Sequence, residues 1–184
     1  MLNELDRELT RRGHRFVRYA DDCMIFCKSR KSAERTLKNI IPFIEGKLFL
    51  KVNRKKTSVA HISKVKYLGY AFYRYKGKCR FRVHPKSVVK MKDRIRELAK
   101  RNNGWGNEYR AKKLTQFVRG WVNYFSLADM KGLLKETDEW LRHKIRTIYW
   151  KQWKKVRTKF KELKKLGVEE EKAWICANMR NGNW

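Results

Sequence analysis

Arg15-Phe16-Val17-Arg18-Tyr19-Ala20-Asp21-Asp22-Cys23-Met24-Ile25-Phe26-Cys27 is the stretch that decides the fold. Residues 15–19 and 23–27 are rich in aromatic and branched apolar side chains, the composition of short strands. Only Ala20, Asp21 and Asp22 separate them, so the two runs predict a tight hairpin with adjacent carboxylates at its tip. A strand pair is stiff, and its turn can hold charged groups out into a cleft. Carboxylate oxygens are the ligands that Mg²⁺ prefers, with substrate phosphates completing the shell. Two such ions about 3.5–4 Å apart can hold an attacking hydroxyl, a phosphate and a leaving group in line. Asp is also common in turns for local hydrogen bonding. The Asp pair therefore gains its meaning from the Tyr19-Ala20 lead and from both flanking strands.

Outward from the hairpin, Leu2, Leu5 and Leu9 recur at helical spacing, predicting an amphipathic helix over residues 2–12 that stops at Gly13. Leu37, Ile40, Ile41 and Ile44 predict a second helix from Ser32 to about Leu48, capped by Ser29 or Ser32 and kinked at Pro42. Strands are expected at Ser58–Ile62, Lys66–Tyr73 and Arg80–Val83, the last after the turn-like Lys76-Gly77-Lys78. Beyond Pro85 the texture changes. Helices are expected over 86–101 (Val88, Val89, Met91, Ile95 and Leu98 inward), 108–127 and 131–163, with Asn102–Asn107 as a breaker. Gly167 ends the third, and Glu169-Glu170-Glu171 opens a short last one, its acidic residues suited to a helix N-terminus. The fold class is α+β, with a domain boundary near Pro85 separating residues 1–84 from 85–184.

Forty-eight Lys and Arg oppose 18 Asp and Glu among 184 residues, a net charge of +30. Such an excess repels itself in the compact state and points to a polyanionic partner, nucleic acid before anionic membrane. Hydrophobic residues make up 42%, with seven Trp, so the chain can build real cores. It contains no apolar run long enough to span a bilayer and no secretory signal at its start. Cys23, Cys27, Cys79 and Cys176 form no Cys-x-x-Cys pair, and Cys23 and Cys27 are expected on one side of a strand as ordinary thiols. That usage suits a reducing, cytoplasmic setting. His14, His61, His84 and His143 are scattered without metal-site spacing.

Phe16-Val17-Arg18-Tyr19-Ala20-Asp21-Asp22 resembles the palm motif of group II intron reverse transcriptases, and further blocks follow in the family's order. Leu50-Lys51-Val52-Asn53-Arg54-Lys55-Lys56-Thr57 resembles the stretch after the palm helix. Tyr67-Leu68-Gly69-Tyr70 resembles the primer grip. Phe117–Phe125, Asp138–Arg142 and Tyr149–Lys154 resemble the thumb, or maturase (X) domain. The resemblance implies a partial palm, an antiparallel sheet with a packed helix, followed by a three-helix thumb. It implies RNA-directed DNA synthesis joined to splicing, with two Mg²⁺ ions, intron RNA, and an RNA template with a DNA primer as partners. Asp21 and Asp22 would be the catalytic, metal-binding cluster. Tyr19 and Ala20 would lie near nucleotide and primer terminus, and Leu68, Gly69 and Tyr70 would hold the primer strand. Lys56, Arg119, Arg142, Lys144, Arg146, Lys151, Lys154 and Arg157 would contact RNA.

Residues 85–165 also argue for RNA by themselves, because Lys and Arg interleave there with Trp and Tyr. Phosphates attract cations, and unpaired bases stack on aromatic or guanidinium planes. Arg142, Lys144, Arg146, Lys151, Lys154 and Arg157 are expected to form a phosphate track along one long helix, while Phe117, Trp121, Phe125 and Leu141 are expected in the core. Against the family pattern, the sequence has only 18 residues before Tyr19, and Glu4, Asp6 and Glu8 fall on a predicted helix rather than on a second metal-binding strand. The chain is therefore expected to be a C-terminal part, inactive alone and completed by a missing N-terminal half. Two other readings stand beside it: a non-catalytic RNA-binding splicing module, and a generic basic DNA-binding helical protein.

Overall fold

A computed structural model describes residues 2–179. The chain divides into two compact units, Met1–Arg80 and Phe81–Trp184. The architecture is α+β, with two small antiparallel sheets among helices.

The first unit opens with α1, Leu2–Arg11. Gly13, at φ +72°, turns the chain out of it. Its N–H donates to the Thr10 carbonyl and the His14 N–H to that of Leu9, both at 2.9 Å, closing the helix end as a left-handed cap does. β1 (Arg15–Tyr19) and β2 (Asp22–Phe26) then form a two-stranded sheet. α2 spans Arg30–Pro42, and the Ser32 N–H donates to Ser29 Oγ at 3.2 Å, so Ser29 is its cap. Leu5, Leu9, Ile40 and Leu48 form the core here, with Phe16 and Ile25 of the hairpin packed against it.

Two expectations in this unit are corrected. The helix expected to reach Leu48 changes character at Pro42. Phe43–Lys47 is a π-helical turn, in which the Leu48 N–H reaches back to the Phe43 carbonyl at 3.3 Å. Pro has no N–H to continue the ladder, and a wider turn absorbs the defect. The strand expected at Ser58–Ile62 is absent. Upstream of it, the backbone N–H groups of Lys56 and Thr57 donate to the Asn53 carbonyl at 3.1 and 3.0 Å, and Lys56 N–H also to Asn53 Oδ1 at 3.2 Å. That local turn draws the chain away from an extended course. A 3₁₀ turn, Ile62–Lys64, follows.

The run Lys66–Tyr73 is two strands, β3 (Lys66–Tyr67) and β4 (Tyr70–Tyr75), separated by Leu68-Gly69. β5 (Lys78–Val83) completes a sheet ordered β3-β4-β5.

In the second unit α3 (Pro85–Leu98), α4 (Asn107–Tyr124) and α5 (Lys131–Gln152) share one core. Met91, Ile95, Leu98 and Leu114 are its buried centre, with Phe117, Trp121, Trp140, Leu141 and Ile145 against them. Phe125 is buried as well. Val89, expected inward, is exposed. The helix expected over 131–163 is broken. α5 ends at Gln152, residues 153–155 are non-helical, and α6 runs Val156–Lys165. Trp153 leaves the helical course (ψ +63°) and its ring stacks near Tyr149 and Trp150, at 5.2 and 6.1 Å between centroids. Helix periodicity continues through the break, which is why the sequence pattern hid it. After Gly167, α7 (Glu170–Asn178) returns against α6, with Phe160 edge-on to Trp174 at 5.7 Å. Among the described residues no helix is long and apolar enough to cross a membrane.

Candidate functional sites

The register of the first hairpin pairs Tyr19 with Asp22, so the loop is only Ala20-Asp21 and Asp22 already belongs to β2. Two-residue hairpin loops match strand twist only with a positive φ at their first residue. Ala20 supplies it at φ +49°, a conformation that costs an L-residue roughly 1–2 kcal/mol. Asp21 therefore stands at the apex, and both Asp21 and Asp22 are exposed. Tyr19 is 65% exposed beside them.

Alternation along the strands gives the hairpin two faces. Phe16 and Ile25 point to the core, whereas Val17, Tyr19 and Phe26 are exposed. Arg18 lies on the inner face and braces the turn. Its Nε and Nη2 bind the two oxygens of Asp6 on α1, the first at 2.8 Å, while Nη1 donates to the Ala20 carbonyl at 3.1 Å. The guanidinium holds the Asp6 carboxyl below its ordinary range by hydrogen bonding. Asp6 is thus engaged in holding the turn and not presented beside Asp21. The Cys23 thiol, on the same face, is pushed up by desolvation against the packed hairpin and then by the Asp6 charge, although the residue keeps an exposed side. Among the described residues no three His, Cys, Asp or Glu gather into a metal-binding group. Asp21 and Asp22 put two adjacent carboxylates on a short turn, the hard-oxygen donor type that Mg²⁺ prefers.

The second hairpin touches the first through Tyr67. Its hydroxyl lies 3.3 Å from the Asp22 carbonyl oxygen and 3.5 Å from that of Val17. Burial, and then the charges of Cys23 and Asp22, push the phenol up. Tyr67 pairs with Tyr70, so Leu68-Gly69 is again a two-residue loop, with both residues left-handed at φ +48° and +84°. Gly suits that conformation, but Leu does not. Leu68, Gly69 and Tyr70 thus sit on a strained turn that Tyr67 links to the carboxylate-bearing one. Lys56 lies exposed on the Asn53 turn, which Arg54 braces from Glu45 at 2.6 Å.

In the helical unit the cations expected along one long helix are divided between two helices and the break between them. Arg142, Lys144, Arg146 and Lys151 lie on α5, Lys154 in the break and Arg157 on α6. At about 100° per residue, Arg142 and Arg146 share one side of α5 while Lys144 and Lys151 fall on another. Arg142 is paired with Asp138 at 2.8 Å, and Lys144 lies 6.0 Å from the Trp140 ring. Arg119 is exposed on α4. The cations cover several faces.

Two structural arginines escaped the sequence reading. Arg18 was legible only as part of a motif. Arg110 is 5% exposed and donates to Asn107 at 2.9 Å and Asn103 at 2.8 Å; Asn107 in turn exchanges hydrogen bonds with Gln152. This network ties the loop before α4 to the end of α5. Nothing in a chain this basic marks which arginine is inside, although the asparagines at 103 and 107 were a signal for the loop.

Residues 1–72 match the family of reverse transcriptases (RNA-dependent DNA polymerases), and residues 88–167 match the maturase-specific domain of group II introns. No curated protein matches the chain. The two matched segments lie one after the other and together take up most of the chain, which belongs to the group II intron reverse transcriptase/maturase family.

Proposed function

We propose that the chain binds group II intron RNA and a template–primer duplex, and that it contributes one carboxylate-bearing hairpin to two-metal nucleotidyl transfer. The observation that carries this reading is the exposed Asp21-Asp22 pair on a braced, strained turn, in a chain whose other unit is a Trp-rich helical core covered in cations. In this reading residues 1–84 are the end of the palm with its primer grip, and residues 85–184 are the thumb, or maturase domain, and its tail. A cytoplasmic setting agrees with free cysteines, two of them exposed.

Asp21 and Asp22 would hold Mg²⁺, with further ligands from an upstream palm strand and the substrate phosphates. The bound metal would supply Lewis-acid stabilisation of charge on the transferring phosphate. Arg18 keeps the turn in place through the Ala20 carbonyl. Tyr19 and Ala20 face the nucleotide and primer end, and Tyr67 couples them to Leu68, Gly69 and Tyr70 on the primer strand. Lys56, Arg119, Arg142, Lys144, Arg146, Lys151, Lys154 and Arg157 neutralise phosphates, some on intron RNA and some on the duplex, as their spread over several faces suits.

Template–primer extension in Mg²⁺ tests the catalytic part. It is measured for this chain alone and together with a polypeptide carrying an upstream palm, against D21N. Extension that appears on addition of that polypeptide and vanishes in D21N supports the reading; extension indifferent to D21N overturns it. A second reading, an RNA-binding splicing module without chemistry, draws on the cations alone. It requires structured RNA to bind equally well to wild type and D21N, with affinity falling steeply with salt.

A further inference from the structure

We propose that a cleft of about 390 Å³ at the root of the first hairpin is a second phosphate site, gripping the backbone of a structured RNA far from the Asp21-Asp22 tip. This rests on the RNA-binding reading above and adds a place of contact that reading does not contain. The cleft is lined by Arg12, His14, Arg35, Thr36 and Asn39. Each of these side chains can donate a hydrogen bond, and none is a carboxylate. Such a lining suits an oxyanion and offers nothing to an apolar ligand.

The fold gathers these residues from two segments. The left-handed Gly13 reverses the chain between Arg12 and His14. On α2, Asn39 lies one helical turn beyond the adjacent Arg35 and Thr36, so the three border one face. The Arg12 guanidinium is already in place. Its Nε donates to Glu8 at 2.7 Å, and it lies over the Phe43 ring at 5.9 Å. A pre-positioned guanidinium loses little freedom on binding. Glu8 does not cancel the field, because Arg11 shares the same carboxylate at 2.7 and 2.9 Å and no carboxylate pairs with Arg35 among the described residues. Two guanidinium groups, Arg12 and Arg35, thus line the cleft, and the one carboxylate bonded to Arg12 is shared with Arg11.

Position separates this site from the reacting centre. His14 immediately precedes β1, and the turn lies at the far end of that strand, roughly 20 Å away at about 3.3 Å per residue. A phosphate in the cleft cannot be that of the reacting nucleotide. The cleft is open on one side, and exposed Arg11, Arg15, Lys31 and Lys38 lie on the same segments. A chain of phosphates can therefore run on past it, which favours an RNA backbone over a free anion.

The test uses the full chain, a fluorescein-labelled 24-nucleotide RNA stem-loop, and anisotropy titrations over a range of salt. The variants are R12Q/R35Q and R35Q alone, the latter because Arg35 holds no partner whose loss would disturb folding. K131Q/K135Q, exposed on α5, is the charge-matched control. The expected result is roughly tenfold weaker binding for R12Q/R35Q and about threefold for R35Q, with a salt slope shallower by about 0.7–0.9 per lost phosphate contact. The control should change affinity no more than twofold. Equal losses in the control and cleft variants overturn the site while leaving RNA binding intact. Absence of RNA binding by wild type overturns both readings. Inorganic phosphate that shifts the His14 and Asn39 side-chain NMR signals, with RNA affinity unchanged in R12Q/R35Q, assigns the cleft to a free anion and overturns the RNA assignment.

Discussion

The two units carry their charged groups by opposite means. Met1–Arg80 concentrates its candidate chemistry on two-residue turns held in unfavourable backbone, with Ala20 at φ +49° and Leu68 at φ +48°. Arg18 braces the first turn, and Tyr67 links the two. Phe81–Trp184 instead spreads its cations over helices whose core is closed by Trp and aliphatic residues. Its charged groups rest on local partners, as Arg142 does on Asp138 and Lys159 on Trp150 at 5.0 Å. Position should therefore matter greatly in the first unit and number in the second.

The largest test of that separation is in the cores. Leu9 and Ile95 are both 0% exposed, one in each unit. Replacing either by Ala removes buried contacts and leaves a cavity, at about 2–5 kcal/mol. Hydrogen exchange followed by mass spectrometry should show L9A accelerating exchange in residues 2–80 and I95A in residues 85–150. Acceleration throughout the chain by either one would mean that the units fold as a single cooperative body.

Acid should next distinguish the hairpin's scaffold. Glu8 is held down to about 2, from 4.5, chiefly by its hydrogen bond to Arg11 and then by Arg12, and Asp6 is lowered from 3.8 by Arg18. A carboxylate whose folded value is depressed stabilises the fold fully above its unfolded value and loses that contribution as pH falls through the folded one. Unit one should thus soften progressively from about pH 4.5 towards pH 2. Thermal unfolding of E8Q should depend less on pH across that window. An unchanged slope would show that the Arg11 and Arg12 contacts do not persist in solution.

A smaller effect is expected at the tip. A20G removes the penalty for a left-handed Ala and adds freedom to the unfolded chain, and the balance is a gain of about 0.5–1 kcal/mol. Denaturant unfolding measures it. If strain at this turn serves positioning, the more stable variant should do less well in the primer-extension assay proposed above, and a gain in both would break the link between strain and function.

How far these contrasts were legible in the sequence follows from the range of the forces involved. The Arg15–Phe26 hairpin and the three-helix core could be read because alternation and 3–4 spacing are local signals, and the helical cap at Gly13 was equally local. The break at 153–155 could not, because Trp153 leaves the helix to stack on Tyr149 and Trp150 without disturbing the apolar period. The missing strand at 58–62 follows directly on a turn gathered by Asn53 from Lys56 and Thr57, a local feature that β propensity does not weigh. The cleft at Arg12, His14, Arg35, Thr36 and Asn39 depends on two segments meeting. No spacing within either segment announces it. The bracing of Ala20 by Arg18 is likewise a tertiary fact inside a motif whose letters were plain.

The smallest expected effects lie on the helices, and they bear most directly on the contrast. Arg119, Arg146 and Arg157 are exposed and stand on different elements or faces. Each neutralises at most one phosphate, so a single Arg→Gln change should weaken RNA binding only about two- to threefold at moderate salt and flatten the salt slope by less than one unit. Because the sites share no partner, their free-energy changes should add, and the triple variant should lose about the product of the three factors. A filter-binding series of singles, doubles and the triple measures this. One residue carrying nearly the whole loss would show that the helical unit, like the hairpins, concentrates its function at a point.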